Sequence, residues 1–323
     1  MPELLAPSLI EDAASRLAGV AIRTPLLDAP WLADACQSPE VRLKCENLQR
    51  AGSFKFRGAY TTISRLDASV RARGVVTHSS GNHAQAVSLA ARLFGIPATV
   101  VMPTTAPALK IENVRKLGAT IVFEGTTSLD IQMKANALAA EQGLAMVEPF
   151  DHLQTMSGQG TAGLEILDEW AEADAVLVPV GGGGLLGGIA TCVKHRRPHC
   201  LVVGVEPEHA DALTRSLAAG RIVTLEAAPT IADGLKPLRP SELTLEHARA
   251  YVDQMVRVTD ADIMAATRHL FTNAKLVVEF SGAAAVAALL SGRWSPAGRR
   301  VAVLLSGGNM DPATASRMLV ETT

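Results

Sequence analysis

Aromatic side chains are scarce in this chain, with Phe 7, Trp 3 and Tyr 2 among 323 residues, so the core must be built from Ala, Val, Leu and Ile. Such a core suits parallel strands buried under helices on both faces. Lysine is scarcer than arginine, at 8 of the 30 basic residues. Cysteine is limited to Cys36, Cys45, Cys192 and Cys200, with no C-x-x-C pair; this excludes a disulfide framework and leaves four reduced thiols. Neither charge is in surplus: Lys and Arg total 30 against 32 Asp and Glu, a formal net charge of -2. The basic excess that nucleic acid or an anionic membrane demands is therefore missing. The longest apolar run, Ala283 to Leu290, is too short to span a bilayer. Met1 to Val20 carries Glu3, Glu11 and Asp12 without a basic leader, so it does not read as a signal peptide. A 48% hydrophobic content with low net charge excludes disorder. These absences leave a soluble, cytoplasmic protein of one large or two modest domains.

What is present is a repeated unit: a short β-branched run, a Gly or polar turn, then an Ala-rich helix. Ser8-Leu9-Ile10-Glu11 reads as the capping box of a first helix, and Val41 to Cys45 as a strand. Val75-Val76-Thr77, Ala98 to Met102, Thr120 to Phe123, Ala175 to Val180 and Leu201 to Val205 are further strands, each leading into a helix or turn. The last strand is Val301 to Leu305. This alternation predicts βαβ units and an α/β fold with a largely parallel sheet. After Gly220 the pattern loosens into a long loop holding Pro229, Pro237 and Pro240. Helices at about Thr259–Ala274 and Gly282–Leu290 follow it.

Four segments carry chemistry. Gly181-Gly182-Gly183-Gly184, then Leu185-Leu186-Gly187-Gly188, links a strand to a helix, where bare backbone amides can close on a phosphate. The same residues fit a dinucleotide fingerprint, Gly182-x-Gly184-x-x-Gly187 with Glu206 ending the next strand, and that alternative points to an NAD-dependent oxidoreductase. Ser79-Ser80-Gly81-Asn82-His83 is a second strand-to-helix turn, fit for a carboxylate or phosphate or simply an ordinary helix cap. Ser306-Gly307-Gly308-Asn309 is a third such turn. Lastly, Phe54 and Phe56 flank Lys55, which reads either as a surface lysine opening an amphipathic helix or as an amine in an apolar setting, where loss of the ammonium proton is eased as Schiff-base chemistry requires. His78, His83 and His152 lack metal-ligand spacing, and no G-x-S-x-G elbow occurs.

Ser53-Phe54-Lys55-Phe56-Arg57-Gly58, Ser79 to His83, Gly158-Gln159-Gly160-Thr161, the glycine run, Thr230 to Gly234 and Ser306 to Asn309 stand in one order along the chain. That set resembles the pyridoxal-phosphate (PLP) fold-type II family, tryptophan synthase β-like, and within it the serine/threonine dehydratases (ammonia-lyases) and serine racemase. The resemblance implies a two-domain enzyme: residues 1–72 and 147–323 as a discontinuous large domain, residues 73–146 as a small mobile one. It implies Lys55 as the residue that carries PLP and takes the Cα proton, with Phe54 packed on the ring and Asn82 bonded to the ring hydroxyl. Gly181, Gly182, Gly183, Gly184 and Leu185 would hold the phosphate, and Ser306 would meet the pyridine nitrogen. A hydroxyl there does not enforce ring protonation, which favours loss of a β-substituent over transamination. Ser79, Ser80, Gly81, Asn82 and His83 would grip the substrate carboxylate, with Ser80 on the opposite face of Cα from Lys55.

The implied activity is β-elimination on a β-hydroxy amino acid such as L-threonine or L-serine, giving a 2-oxo acid and ammonia. Serine racemisation and dehydration of hydroxyaspartate or phenylserine are the alternatives, and a homodimer or homotetramer the implied assembly. Three departures stand out. Glu279-Phe280-Ser281-Gly282-Ala283 lacks the proline that relatives often carry second. Glu206 and Ala210 match the divalent-cation site of metal-activated members, but Ala212 replaces its aspartate, with Asp211 one residue early. Glu148-Pro149 stands where relatives begin His-Pro.

Overall fold

A computed structural model of the chain describes residues 2–320. The β-branched runs become strands β1 (Leu26–Asp28), β2 (Val41–Cys45), β3 (Val75–His78), β4 (Ala98–Met102) and β5 (Thr120–Phe123). They continue as β6 (Ala145–Met146), β7 (Ala175–Pro179), β8 (Leu201–Pro207), β9 (Gln254–Val258) and β10 (Val301–Leu305). Two sheets result, ordered β1-β2-β10-β7-β8-β9 and β5-β4-β3-β6. Every pairing is parallel except β1 with β2. The fold is α/β, as the alternating pattern predicts.

Strands β7 and β10 are buried along their whole length because helices cover both faces. The helix Phe280–Leu290 packs on one face with Ala283, Ala284, Ala285, Ala287 and Ala288 fully buried, and such small side chains let its axis lie close to the sheet. The four cysteines are unbonded, and among the described residues no helix is long and apolar enough to cross a membrane.

Two local readings need correction. The first helix spans Pro7–Leu17 with Ala6 as its cap and no side-chain cap, so Ser8 and Glu11 form no capping box. Proline supplies the start instead, since its fixed φ suits the first turn and it has no N–H to satisfy. Beyond Gly220 the chain is more ordered than its prolines suggest. Ser241 and Thr244 form a reciprocal cap on a helix Glu242–Tyr251, which leads into β9.

Three helices are held at unusually short range. A Cβ on Gly158, in helix Leu153–Glu169, would lie 2.4 Å from the Arg57 carbonyl oxygen; one on Gly188 would lie 2.3 Å from that of Met156. These glycines fix helix Lys55–Ser64 against Leu153–Glu169, and that helix against Gly184–Arg196. Below Lys55, the buried Arg57 binds Glu46 (Nε–Oε2 2.8 Å) and Glu165 (Nη1–Oε1 2.7 Å), while buried Lys44 also reaches Glu165 at 2.6 Å. The start of this helix therefore rests on a rigid ionic base. β3, β7 and β10 each run out into one of the predicted turns, at the carboxyl ends of parallel strands where α/β proteins bind ligands.

Candidate active site

The Lys55 loop is docked onto the Ser306 turn by backbone. Ser53 bridges Gly307, Phe54 N–H donates to the Ser306 carbonyl (3.1 Å), and Gly308 N–H donates to the Gly52 carbonyl (2.9 Å). The Lys55 Nζ donates to the carbonyl of Pro149 at 2.6 Å and lies 5.1 Å from the centroid of the Phe54 ring. Removal from water lowers its pKa to about 7, so a large share of the amine is uncharged at neutral pH.

The turn after β3 begins helix Asn82–Phe94. Ser79 Oγ accepts from Gly81 N–H at 3.2 Å, and the Ser80 hydroxyl has no partner among the described residues. His83 is buried, with Nε2 2.8 Å from the Val147 carbonyl oxygen. A carbonyl only accepts, so Nε2 carries the proton and Nδ1 is a bare acceptor without a partner. Burial lowers this imidazole to about 3, with the Lys55 charge adding to it, so the ring stays neutral. Asn82 donates to Glu279 Oε1 at 2.6 Å and accepts from Asn309 at 2.8 Å; Asn309 also donates to the Ala51 carbonyl at 2.8 Å. Burial pushes the Glu279 carboxyl up to about 7, aided by the charge of Asp233 and opposed by the Asn82 bond and Lys110.

The glycine loop opens helix Gly184–Arg196. Gly183 holds φ +91°, a left-handed conformation that favours glycine. Among the described residues, the amides of Gly181 through Leu185 donate to no other group of the protein. Five unpaired amides at a helix N-terminus form an anion cradle.

One four-residue segment joins Lys55, the Ser79–His83 turn and the glycine loop. The Val147 carbonyl takes His83, the Glu148 carboxylate lies 3.2 Å from His78 Nε2, and the Pro149 carbonyl takes Lys55. The Phe150 side chain packs so closely on the glycine loop that a Cβ on Gly182 would meet its ring at 2.4 Å. Phe54, Lys55, Ser306, Asn82, His83 and the glycine run are thus linked through direct contacts, with Ser79, Ser80 and Gly81 carried on the same turn.

Sequence reading missed Glu279 and Asn309 as partners of Asn82, and the Pro149 carbonyl as partner of Lys55. The signals available were a carboxylate before an apolar helix and an Asn closing a Gly-Gly turn. Glu206 lies outside this assembly. Its oxygens accept from Leu213 N–H, Thr214 N–H and the Thr214 hydroxyl (2.9, 2.9 and 2.6 Å), so it caps the next helix and is not free for a ribose hydroxyl, as the dinucleotide reading requires. The residues do not fit a hard cation either. Asp211 is taken by Arg215 (2.7 Å) and Arg257 (3.3 Å), Glu206 is taken by the helix it caps, and Ala212 offers no side-chain ligand.

A family model described as "Pyridoxal-phosphate dependent enzyme" matches residues 17–307. An L-threonine ammonia-lyase of Thermotoga maritima is 42% identical over 96% of this chain and 77% of its own length. An L-threo-3-hydroxyaspartate ammonia-lyase of a Pseudomonas species is 42% identical over 93% of both. Among solved structures, maize serine racemase superposes with a TM-score of 0.94 at 38% identity, covering 98% of this chain and 97% of that one. The residues suit the cofactor: the five unpaired amides match a phosphate, and the desolvated Lys55 amine, within reach of an aromatic ring, matches an aldehyde that must be held covalently. The shared sequence over most of the chain, and a site built for that cofactor, place this protein in the pyridoxal-phosphate-dependent enzyme family.

Proposed function

We propose that the protein eliminates water from a β-hydroxy amino acid such as L-threonine or L-serine, releasing a 2-oxo acid and ammonia. The observation that carries this reading is the Val147–Phe150 segment, which ties the Lys55 amine, the Ser79–His83 turn and the glycine loop to one another. Bound PLP supplies the electron-withdrawing system that makes the amino acid's Cα proton acidic.

The amides at the start of helix Asn82–Phe94, with the Ser79 and Ser80 hydroxyls, hold the substrate carboxylate and orient Cα. Lys55 takes the Cα proton, for which a pKa of about 7 leaves a ready supply of free amine. The β-hydroxyl leaves as water with the proton that Lys55 took from Cα, and later hydrolysis consumes one water, so the net products are the 2-oxo acid and ammonium. Asn82, held from both sides by Glu279 and Asn309, presents its amide to the ring hydroxyl. Ser306 offers a neutral hydroxyl to the ring nitrogen, and Phe54 packs on the ring. Residues 73–146 act as the small mobile domain and 1–72 with 147–323 as the large one. The ion pair of Lys110 with Asp233 joins the two across the cleft and favours the closed form that excludes water.

The test is to incubate the PLP-loaded protein with L-threonine and L-serine and to measure 2-oxo acid and ammonia. Release in equal amounts supports the reading; no release from these or from phenylserine and hydroxyaspartate refutes it. Racemisation is a second reading, favoured by the unpartnered Ser80 hydroxyl, and chiral analysis of recovered serine reads it directly.

A further inference from the structure

We propose that Glu148 sets which side chains the cleft admits: those neutral or cationic beyond Cβ are accepted, and those bearing a second carboxylate are rejected. The proposal rests on the elimination reading and names the substrate class for that same site. Glu148 sits between the two residues whose carbonyls hold His83 and Lys55, and so lies at the seam between the carboxylate-gripping turn and the reacting amine. Its Oε2 is 3.2 Å from Nε2 of His78, the residue directly before Ser79. Its other oxygen has no hydrogen-bond partner among the described residues, and the side chain keeps 23% of its exposure. A part-buried carboxylate with a free oxygen beside that turn accepts from hydroxyl or ammonium donors and repels a like charge.

The neighbouring charges agree. His83 is neutral, Lys110 is already paired with Asp233, and Glu279 is tied to Asn82. Asp151 and His152 lie next along the chain and face solvent. Lys55 serves the reaction, and His78 Nε2 is engaged by Glu148. No unpaired cation among these remains to welcome a distal carboxylate, whereas the substrate's α-carboxylate has the helix amides. A like charge in a part-buried cleft makes a discrimination on the order of tenfold or more.

The experiment titrates the PLP-loaded enzyme calorimetrically with L-asparagine and L-aspartate, which match in shape and carry no β-leaving group. In parallel, kcat/KM is compared for L-threonine and L-threo-3-hydroxyaspartate. Wild type is expected to favour the neutral member of each pair by about tenfold or more. Glu148→Gln, which keeps size and a hydrogen bond to His78, should bring both ratios within about threefold, and Glu148→Asp should restore the preference. Retention of the visible PLP band certifies each variant. A wild-type preference for the dianionic members would assign the reading to Lys110 and overturn the proposal, as would ratios unmoved by Glu148→Gln. If neither β-hydroxy acid is turned over while the asparagine preference collapses in Glu148→Gln, the charge assignment is supported and the elimination reading fails.

Discussion

Gly183→Ala adds one methyl group to the anion cradle and removes no polar atom; its nearest neighbours are the Cβ and the hydroxyl (3.2 Å) of Thr244. At φ +91° an L-residue pays about 1–2 kcal/mol for the left-handed backbone. The new Cβ would also stand 2.9 Å from the Thr244 Cβ, an overpacking of about 1–3 kcal/mol. The loop can relieve this only by rotating the peptides that flank residue 183, which turns the amides of Gly183 and Gly184 away from the phosphate. A loss of about 2 kcal/mol in cofactor binding corresponds to roughly 30-fold in the dissociation constant. The assay resolves the protein from its cofactor by dialysis, then titrates it with PLP while following the visible band. Gly95→Ala is the control: φ is +66°, but nothing lies within 4 Å of the added Cβ and the position is at the far end of helix Asn82–Phe94. It should lose stability and keep its PLP affinity. A Gly183→Ala affinity within about threefold of wild type, or an equal loss in Gly95→Ala, would refute the cradle.

Three further outcomes follow from the buried charges. Because burial lowers Lys55 to about 7, its nucleophilic neutral form is present from near neutral pH, so PLP capture by the cofactor-free protein should accelerate through pH 6–8 and then level; a midpoint near the ordinary lysine value contradicts this. At the base of the same helix, burial works to raise the Glu46 carboxyl, but the charge and hydrogen bonds of Arg57 outweigh it and hold the pKa below normal. The contribution of that pair is complete above the ordinary carboxylate range and disappears as pH falls below about 4, which thermal melts across pH will read. Arg57→Ala should cost about 3–5 kcal/mol at pH 7 by leaving Glu46 and Glu165 uncompensated, and denaturant unfolding measures it.

The α/β plan with parallel strands was legible because its signal is periodic: β7 and β10 are apolar throughout, and each is followed by a glycine-rich turn, whereas no periodicity announces that the strands divide between two sheets. The three turns and Lys55 were equally visible, since their residue types carry the chemistry themselves. Contacts made by carbonyls are another matter. The Pro149 carbonyl that holds Lys55 and the Val147 carbonyl that fixes the His83 tautomer belong to any residue, so no sequence pattern announces them. Glu279 was seen only as part of a motif lacking a proline; its bond to Asn82, 197 positions away, exists through tertiary folding alone. The start of the first helix was misread for the opposite reason. Ser8 and Glu11 have the spacing of a cap, yet Pro7 begins the helix one residue earlier and makes that cap redundant. Glu206 fits a dinucleotide spacing in sequence and is spent on capping a helix in the fold.

The central claim, that Lys55 is the residue to which PLP is bound, is tested most directly by reducing the PLP-loaded protein with borohydride and sequencing its peptides by mass spectrometry. The account predicts loss of the visible band and a pyridoxyl group on the peptide containing Phe54-Lys55-Phe56, with Lys55→Ala colourless. A label on any of the other lysines, or a visible band that persists in Lys55→Ala, would contradict it.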